Sequence, residues 1–179
     1  NWSQKDQMIS TSDKVNITKG NMTAQGQGIE AKPDLKIAKF EKDVMLTIGE
    51  QKKTQKPAEP AKPAESTDGL GFGKGKMVIT CDGPMEMSYE KQYAIFQDNV
   101  KVDSQGDQGI MIADKMTITF SSTTKQIDKM EAVGHVKIIR GENTSYSDGA
   151  IFTASDKRLV LTGRPKLEMF TDEGLNVSP

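Results

Sequence analysis

The side chains able to do chemistry are few, and their spacing argues against catalysis. His135 is the only histidine. It occupies a turn position that carries Asp43, Asn99 and Arg164 in three sister segments described below, and a position open to four residue types reads as a turn rather than a catalytic or metal-ligating one. No Cys/His cluster has the spacing of a zinc site. No Gly-x-Ser-x-Gly elbow exposes a serine for a Ser-His-Asp triad. Asp114 and Asp148 share parity with the inward residues of their strands, and a pair of carboxylates raises glycoside hydrolysis as a chemistry. Both fall at one repeated position where a strand starts or bends, so a short side chain bonding nearby backbone is the better reading. Cys81, the lone cysteine, has no disulfide partner in the chain and reads as a small apolar filler. The Gly69–Gly75 run lacks the spacing of a phosphate-binding loop and precedes a strand, not a helix. Lys74, Lys76, Lys101, Lys137, Arg140, Lys157, Arg158 and Lys166 are scattered; most read as solvated, and some could meet lipid phosphates at the mouth of a roll. These residues point to no catalytic residue, no metal and no cofactor.

The elements around them are strands. Period-two alternation runs through Met77, Ile79, Cys81, then Met85, Met87, Tyr89, then Ile110, Ile112, with Met116, Ile118, Phe120 following. Four segments share one plan of strand, polar turn and second strand, closing on Phe40-EKDVML, Phe96-QDNVKV, Ala132-VGHVKI and Leu161-TGRPKL. Residues i and i+2 of a strand lie on one side. Each copy therefore has an apolar face: Phe40, Val44, Leu46; Phe96, Val100, Val102; Ala132, Val136, Ile138; Leu161, Pro165, Leu167. Such repeats stack with their apolar faces together. On this parity Met85, Met87, Phe96, Val100, Ile112, Met116, Ile118, Met130, Ala132, Val136, Phe152, Leu159 and Leu161 face inward, whereas Gln97 and Lys101 face water.

Composition sets the remaining bounds. Hydrophobic residues make up 35%, below the usual share of about 45–50%, and part of the deficit lies in one stretch. Residues 50–76 are rich in Pro, Ala, Lys, Glu and Gly, the composition of a solvated flexible linker. The chain divides there into 1–49, 50–76 and 77–179. A net charge of −1 gives no polyelectrolyte signature, so nucleic acid is not an expected partner. Met, at 10 residues, equals all the aromatic residues together, and flexible thioethers suit a surface that must accept variable apolar ligands. No apolar run reaches the ~20 residues of a membrane-spanning helix. The chain opens on Asn1 rather than Met, which leaves a signal peptide or an inner-membrane anchor upstream as an expectation. The sequons at Asn1, Asn16, Asn21, Asn143 and Asn176 read as accidents of a Ser/Thr-rich chain.

The ordered series Ile79-TCDGPMEMSYEKQYAIFQDNVKV, Ile112-ADKMTITF, Ile127-DKMEAVGHVKIIRG and Tyr146-SDGAIFTASDKRLVLTGRPKL resembles the OstA-like domain of the LptA family, over about residues 77–179. Met22-TAQGQGIEA and Phe40-EKDVML make residues 1–49 similar to the C-terminal end of the LptC family. The resemblance implies an all-β, antiparallel, twisted β-jelly roll of strand–turn–strand units, open at both ends. It also implies a non-enzymatic periplasmic task in outer-membrane biogenesis: bridging the inner and outer membranes and passing lipopolysaccharide between them, with the lipid A acyl chains held along the apolar inner face. The expected partners are lipopolysaccharide, other Lpt jelly rolls joined through edge strands, and further copies of the chain head to tail. The rival expectation is a structural β-repeat, such as an adhesin or stalk segment, with a closed core and no lipid.

Overall fold

The computed structural model describes residues 2–3, 8–32, 36–49, 76–105, 109–123 and 126–168. Of the 50–76 stretch, only Lys76 is among them. Twelve strands account for about four-fifths of these residues, and no helix occurs among them. The strands are β1 (Trp2–Ser3), β2 (Met8–Lys19), β3 (Met22–Lys32), β4 (Ile37–Ile48), β5 (Met77–Cys81), β6 (Met85–Ser88), β7 (Tyr93–Ser104), β8 (Gly109–Phe120), β9 (Ile127–Arg140), β10 (Asn143–Thr153), β11 (Arg158–Thr162) and β12 (Lys166–Glu168). All pairings are antiparallel and form a single sheet. Short turns set this order: neighbours in sequence become neighbours in space.

Two of the passes across the sheet are broken strands. β5 pairs with the second half of β4 (Val44↔Cys81, Ile48↔Met77), and β6 with the first half (Ile37↔Ser88, Phe40↔Met85). Asp82, Gly83 and Pro84 lie between them. At the other end, β11 pairs with one half of β10 and β12 with the other, the break falling at Gly163–Pro165. Proline has no N–H for the ladder and suits such a break. Through β4, the strands before residue 50 and those after 76 share one continuous sheet.

A seam of irregularities crosses the long strands near their middles. The register slips between Thr11/Lys14, Gln25/Gln27, Gln97/Val100, Ile112/Lys115 and Ser147/Gly149. On β4 and β7 the slip shows as three consecutive exposed residues, Glu41–Asp43 and Gln97–Asn99. The backbone there is left-handed: φ is 52° at Asp43, 51° at Asn99 and 44° at His135. Asp, Asn and His are among the few non-glycine residues that tolerate this region, which explains why these types recur at one repeat position. In the fourth copy Gly163 takes the left-handed conformation, at φ 89°. Bulges bend a strand and increase its twist.

The seam divides the sheet into two half-sheets, an upper layer (the halves containing Phe40, Phe96 and Phe152) and a lower one (the halves containing Leu46, Val102 and Ile138). One contiguous cluster of buried residues draws on both. A sheet face reaches zero exposure, as at Leu46, Ile79, Met85 and Phe96, only when another layer covers it. The fold is thus a sheet doubled on itself along its bulges, with the seam on one long side and the strand ends on the other.

Candidate lipid-binding site

The interior is built from cross-strand rows, and the registers define them residue by residue. One upper row runs Ile29, Phe40, Met85, Phe96, Met116, Ala132, Ala150, Leu161. Beside it runs Ala31, Ala38, Met87, Ala94, Ile118, Met130, Phe152, Leu159. A lower row runs Ala24, Leu46, Ile79, Val102, Met111, Ile138, Ser145, Leu167. Val100 and Val136 sit closer to the seam, opposite Ala113 and Ser147. Large residues stand side by side at the centre of the first row (Phe40, Met85, Phe96, Met116), and small ones (Ala132, Ala150) follow them toward β11.

Of the residues expected inside, Met85, Met87, Phe96, Val100, Met116, Ile118, Met130, Ala132, Val136 and Phe152 are buried, and Leu159 and Leu161 are half-buried against the same cluster. Ile112 is the exception. It pairs with Lys101 on one side and Lys137 on the other, between the buried Met111 and Ala113, and so lies on the outer face. The slip at Asp114–Lys115 reverses the parity of β8: Met111 and Ala113 face in before it, Met116 and Ile118 after it. Ile110 follows Ile112 outward. The same slip turns Asp114 to solvent, and Asp148 is exposed at the corresponding slip on β10. Met111 and Ala113 were hidden from parity reasoning; two adjacent polar residues, Asp114-Lys115, inside an apolar run were the available signal. Gln97 and Lys101 are exposed, as parity requires.

The interior carries no charge among the described residues. Its buried polar groups are Ser88, Ser104 and Ser147; Ser147 Oγ donates to the Gly149 carbonyl at 2.9 Å. The Cys81 thiol donates to the Gly83 carbonyl at 3.4 Å, and burial pushes its pKa up to about 11. Ionisable groups lie outside the interior, on the outer face, as in the Lys129–Glu131 pair, and at the seam. Asn99 Nδ2 donates to Asp82 Oδ2 at 2.7 Å, and His135 Nδ1 lies 2.8 Å from Asp114 Oδ2. That bond raises the His135 pKa, with the charge of Asp114 acting in the same direction. His135 and Asp114 are both exposed, and no group of three or more His, Cys, Asp or Glu among the described residues is placed to hold a metal.

Both ends of the roll expose apolar inner residues. Ile9 is 45% exposed at the first edge, and Leu167 is 59% exposed beside the half-buried Leu159 and Leu161 at the last. Along the long side opposite the seam, Tyr89 packs against the buried cluster while Lys19 Nζ lies 4.2 Å from the centre of its ring.

A doubled antiparallel sheet of repeated units around an apolar, uncharged interior defines an all-β roll of the jelly-roll type. The chain belongs to the family described as LptA/(LptD N-terminal domain) LPS transport protein, whose model matches residues 82–178, more than half of the 179. This is a family of lipopolysaccharide transport, in general periplasmic, and not one of enzymes. No curated protein matches the chain.

Proposed function

We propose that the chain holds the acyl chains of lipopolysaccharide between its two layers and forms part of a periplasmic bridge from the inner to the outer membrane. The observation that carries this reading is the continuous apolar path of the upper rows. It runs from Ile29 on β3 through Phe40, Met85, Phe96 and Met116 to Leu161 on the β11 edge without a charge, and ends one strand short of β2, where Thr11 pairs with Ile29. Each methylene moved from water onto such a face is worth about 0.8 kcal/mol. The contact is non-directional, so a lipid can slide along the rows without breaking any single essential bond.

Continuity between molecules follows from the edges. β11 and β12 at one end, and at the other the part of β2 beyond its short pairing with β1, leave backbone groups to pair, and strand addition by a neighbouring roll or a further copy of this chain would satisfy them. It would also cover Leu159, Leu161 and Leu167 and join one interior to the next. In this reading residues 1–49 are an LptC-like end already docked, through β4, on the LptA-like roll of 77–179, with 50–76 as the tether between them.

One observation favours a structural repeat with a closed core: Met85, Phe96, Met116 and Ile118 show no exposure at all, so a lipid must part the layers to reach them. The two readings separate in one experiment. A photo-crosslinking amino acid at Phe96, Met116 or Phe152 should capture lipopolysaccharide, and one at Gln97 or Lys101 should not. Labelling without regard to parity, or none at the inward positions with lipid present, would leave the closed repeat as the function of this fold.

A further inference from the structure

The long side opposite the seam has a chemistry of its own around Tyr89. Three segments meet there. The Tyr89 N–H donates to the Lys36 carbonyl at 2.9 Å, which fixes the start of β4 beside the end of β6. Lys19, at the end of β2, reaches from the lower layer to place its ammonium 4.2 Å from the Tyr89 ring centre. Lys91 lies in the turn after Tyr89, its N–H bonded to Ser88 Oγ at 3.2 Å. The backbone is left-handed on both sides of this contact, with φ 50° at Lys36 and 56° at Gln92. Neither residue is one that favours this region, so the surrounding structure holds them there. Lys19, Lys36 and Lys91 are all exposed, and Glu90 is the one described carboxylate in these stretches. The seam on the far side of the roll carries more acid than base by contrast, with Asp13, Glu41, Asp43, Asp82, Asp98, Asp114 and Asp148 exposed along it against Lys14, Lys42, Lys115 and Arg164.

We infer that Lys19, Lys36 and Lys91 form a cationic lip that takes the phosphate groups of an amphipathic ligand whose acyl chains lie inside the roll. This rests on the lipid-carrier reading above and adds the polar half of the ligand to it. The Tyr89 ring is the boundary: one side packs on the apolar cluster and the other carries an ammonium, so a molecule crossing it passes from methylene contact to charge. Lysine ammonium groups bind phosphate as point charges and tolerate a moving partner. The acidic seam repels the same headgroup, so the cross-section has a polarity that directs phosphate to the mouth. Because Lys19 comes from the first block and Lys91 from the second, the lip is complete only when both blocks are docked.

The test uses the full chain and fluorescent lipid A in two forms, one with its phosphates and one with them removed. The protein is expected to bind the phosphorylated form more tightly. Replacing the three lysines together (Lys19→Gln, Lys36→Gln, Lys91→Gln) should weaken that binding roughly tenfold, as three solvent-exposed charge contacts would, and leave the dephosphorylated lipid unaffected. The triple arginine variant should keep the preference, and circular dichroism should report an unchanged β signal in both variants. Inorganic phosphate at millimolar concentration should not displace the lipid; full displacement would mark a site for free phosphate and overturn the assignment to a headgroup. Equal binding of both forms by the native chain, or equal loss of both in the glutamine variant, would overturn the lip and leave the carrier standing. Binding of neither form would overturn the carrier reading itself.

Discussion

Gly134→Ala tests whether the seam is what doubles the sheet. Gly134 sits at φ 82°, and a Cβ built there would lie 2.2 Å from Asp114 Oδ2. Two costs follow. An L-residue in left-handed backbone costs about 1–2 kcal/mol, and swinging the Asp114 carboxylate out of its rotamer adds roughly 0.5–1.5 kcal/mol. The sum is about 1.5–3.5 kcal/mol, which in a chain of this length lowers the melting temperature by roughly 3–14 °C. Gly20→Ala is the internal control: φ is 62°, with nothing within 4 Å of the added carbon, so only the backbone cost applies. Thermal unfolding followed by circular dichroism in the β band would rank Gly134→Ala below Gly20→Ala. Adding Asp114→Ala to Gly134→Ala should recover the steric share and no more. If Gly134→Ala is no less stable than Gly20→Ala, or if removing the Asp114 side chain restores nothing, the close packing of acid on glycine at the bulge does not govern the fold.

Three further expectations follow from the same geometry. Phe96→Ala empties a site of zero exposure and should cost about 3–5 kcal/mol, whereas Ile112→Ala, on the outer face, should cost only about 1 kcal/mol or less; similar losses in urea unfolding would contradict the parity assigned to β8. Cys81, with its pKa pushed up to about 11 by burial, should resist thiol reagents at pH 8 until the protein unfolds, so fast modification of the folded chain would show the interior to be open at β5. His135 has its pKa raised by the bond to Asp114, so what the pair adds to stability is complete below the unfolded-state value of about 6.5 and is lost as pH rises through the raised one; histidine NMR titration should show that raised value falling in Asp114→Asn, and no change would remove the pair from the account.

The parts of the fold that repeat were readable from residues alone. Phe40, Phe96 and Ala132 each open a closing motif, and each stands in one hydrogen-bonded row, because period-two alternation and a shared turn fix which side of the sheet a residue takes. What could not be read is where alternation is interrupted. Asp114-Lys115 carries no more than a hint of a bulge, and one extra residue there exchanges Ile112 for Met111. Nor does alternation say that the two halves of one strand belong to different layers. Val100 and Phe96 have the same parity and are both buried, yet they lie on opposite sides of the seam in different half-sheets. The contact of Lys19 with Tyr89 was equally out of reach, since it joins residues distant in sequence across the mouth and depends on the doubling itself.

On the lipid-carrier reading proposed above, the doubled sheet also bears on how a packed interior would serve as a path. Met85, Phe96, Met116 and Met130 cover one another when the roll holds nothing else. A lipid chain that parts the layers removes those contacts and replaces them with its own, so the stabilisation per methylene is largely exchanged rather than added. A dedicated cavity would bind each chain by the full transfer energy, about 0.8 kcal/mol per methylene, and would release it slowly. Exchange keeps the net affinity small at every point along the rows. Thioether side chains, unbranched and adaptable, lower the cost of repacking as the chain moves on. The seam makes this motion mechanically reasonable, because opening can proceed by a change of angle at the bulges while the strand ladders within each layer stay paired. A carrier with these properties moves its ligand by supply at one end and removal at the other, and the even distribution of apolar contact from Ile29 to Leu161 is what such a path requires.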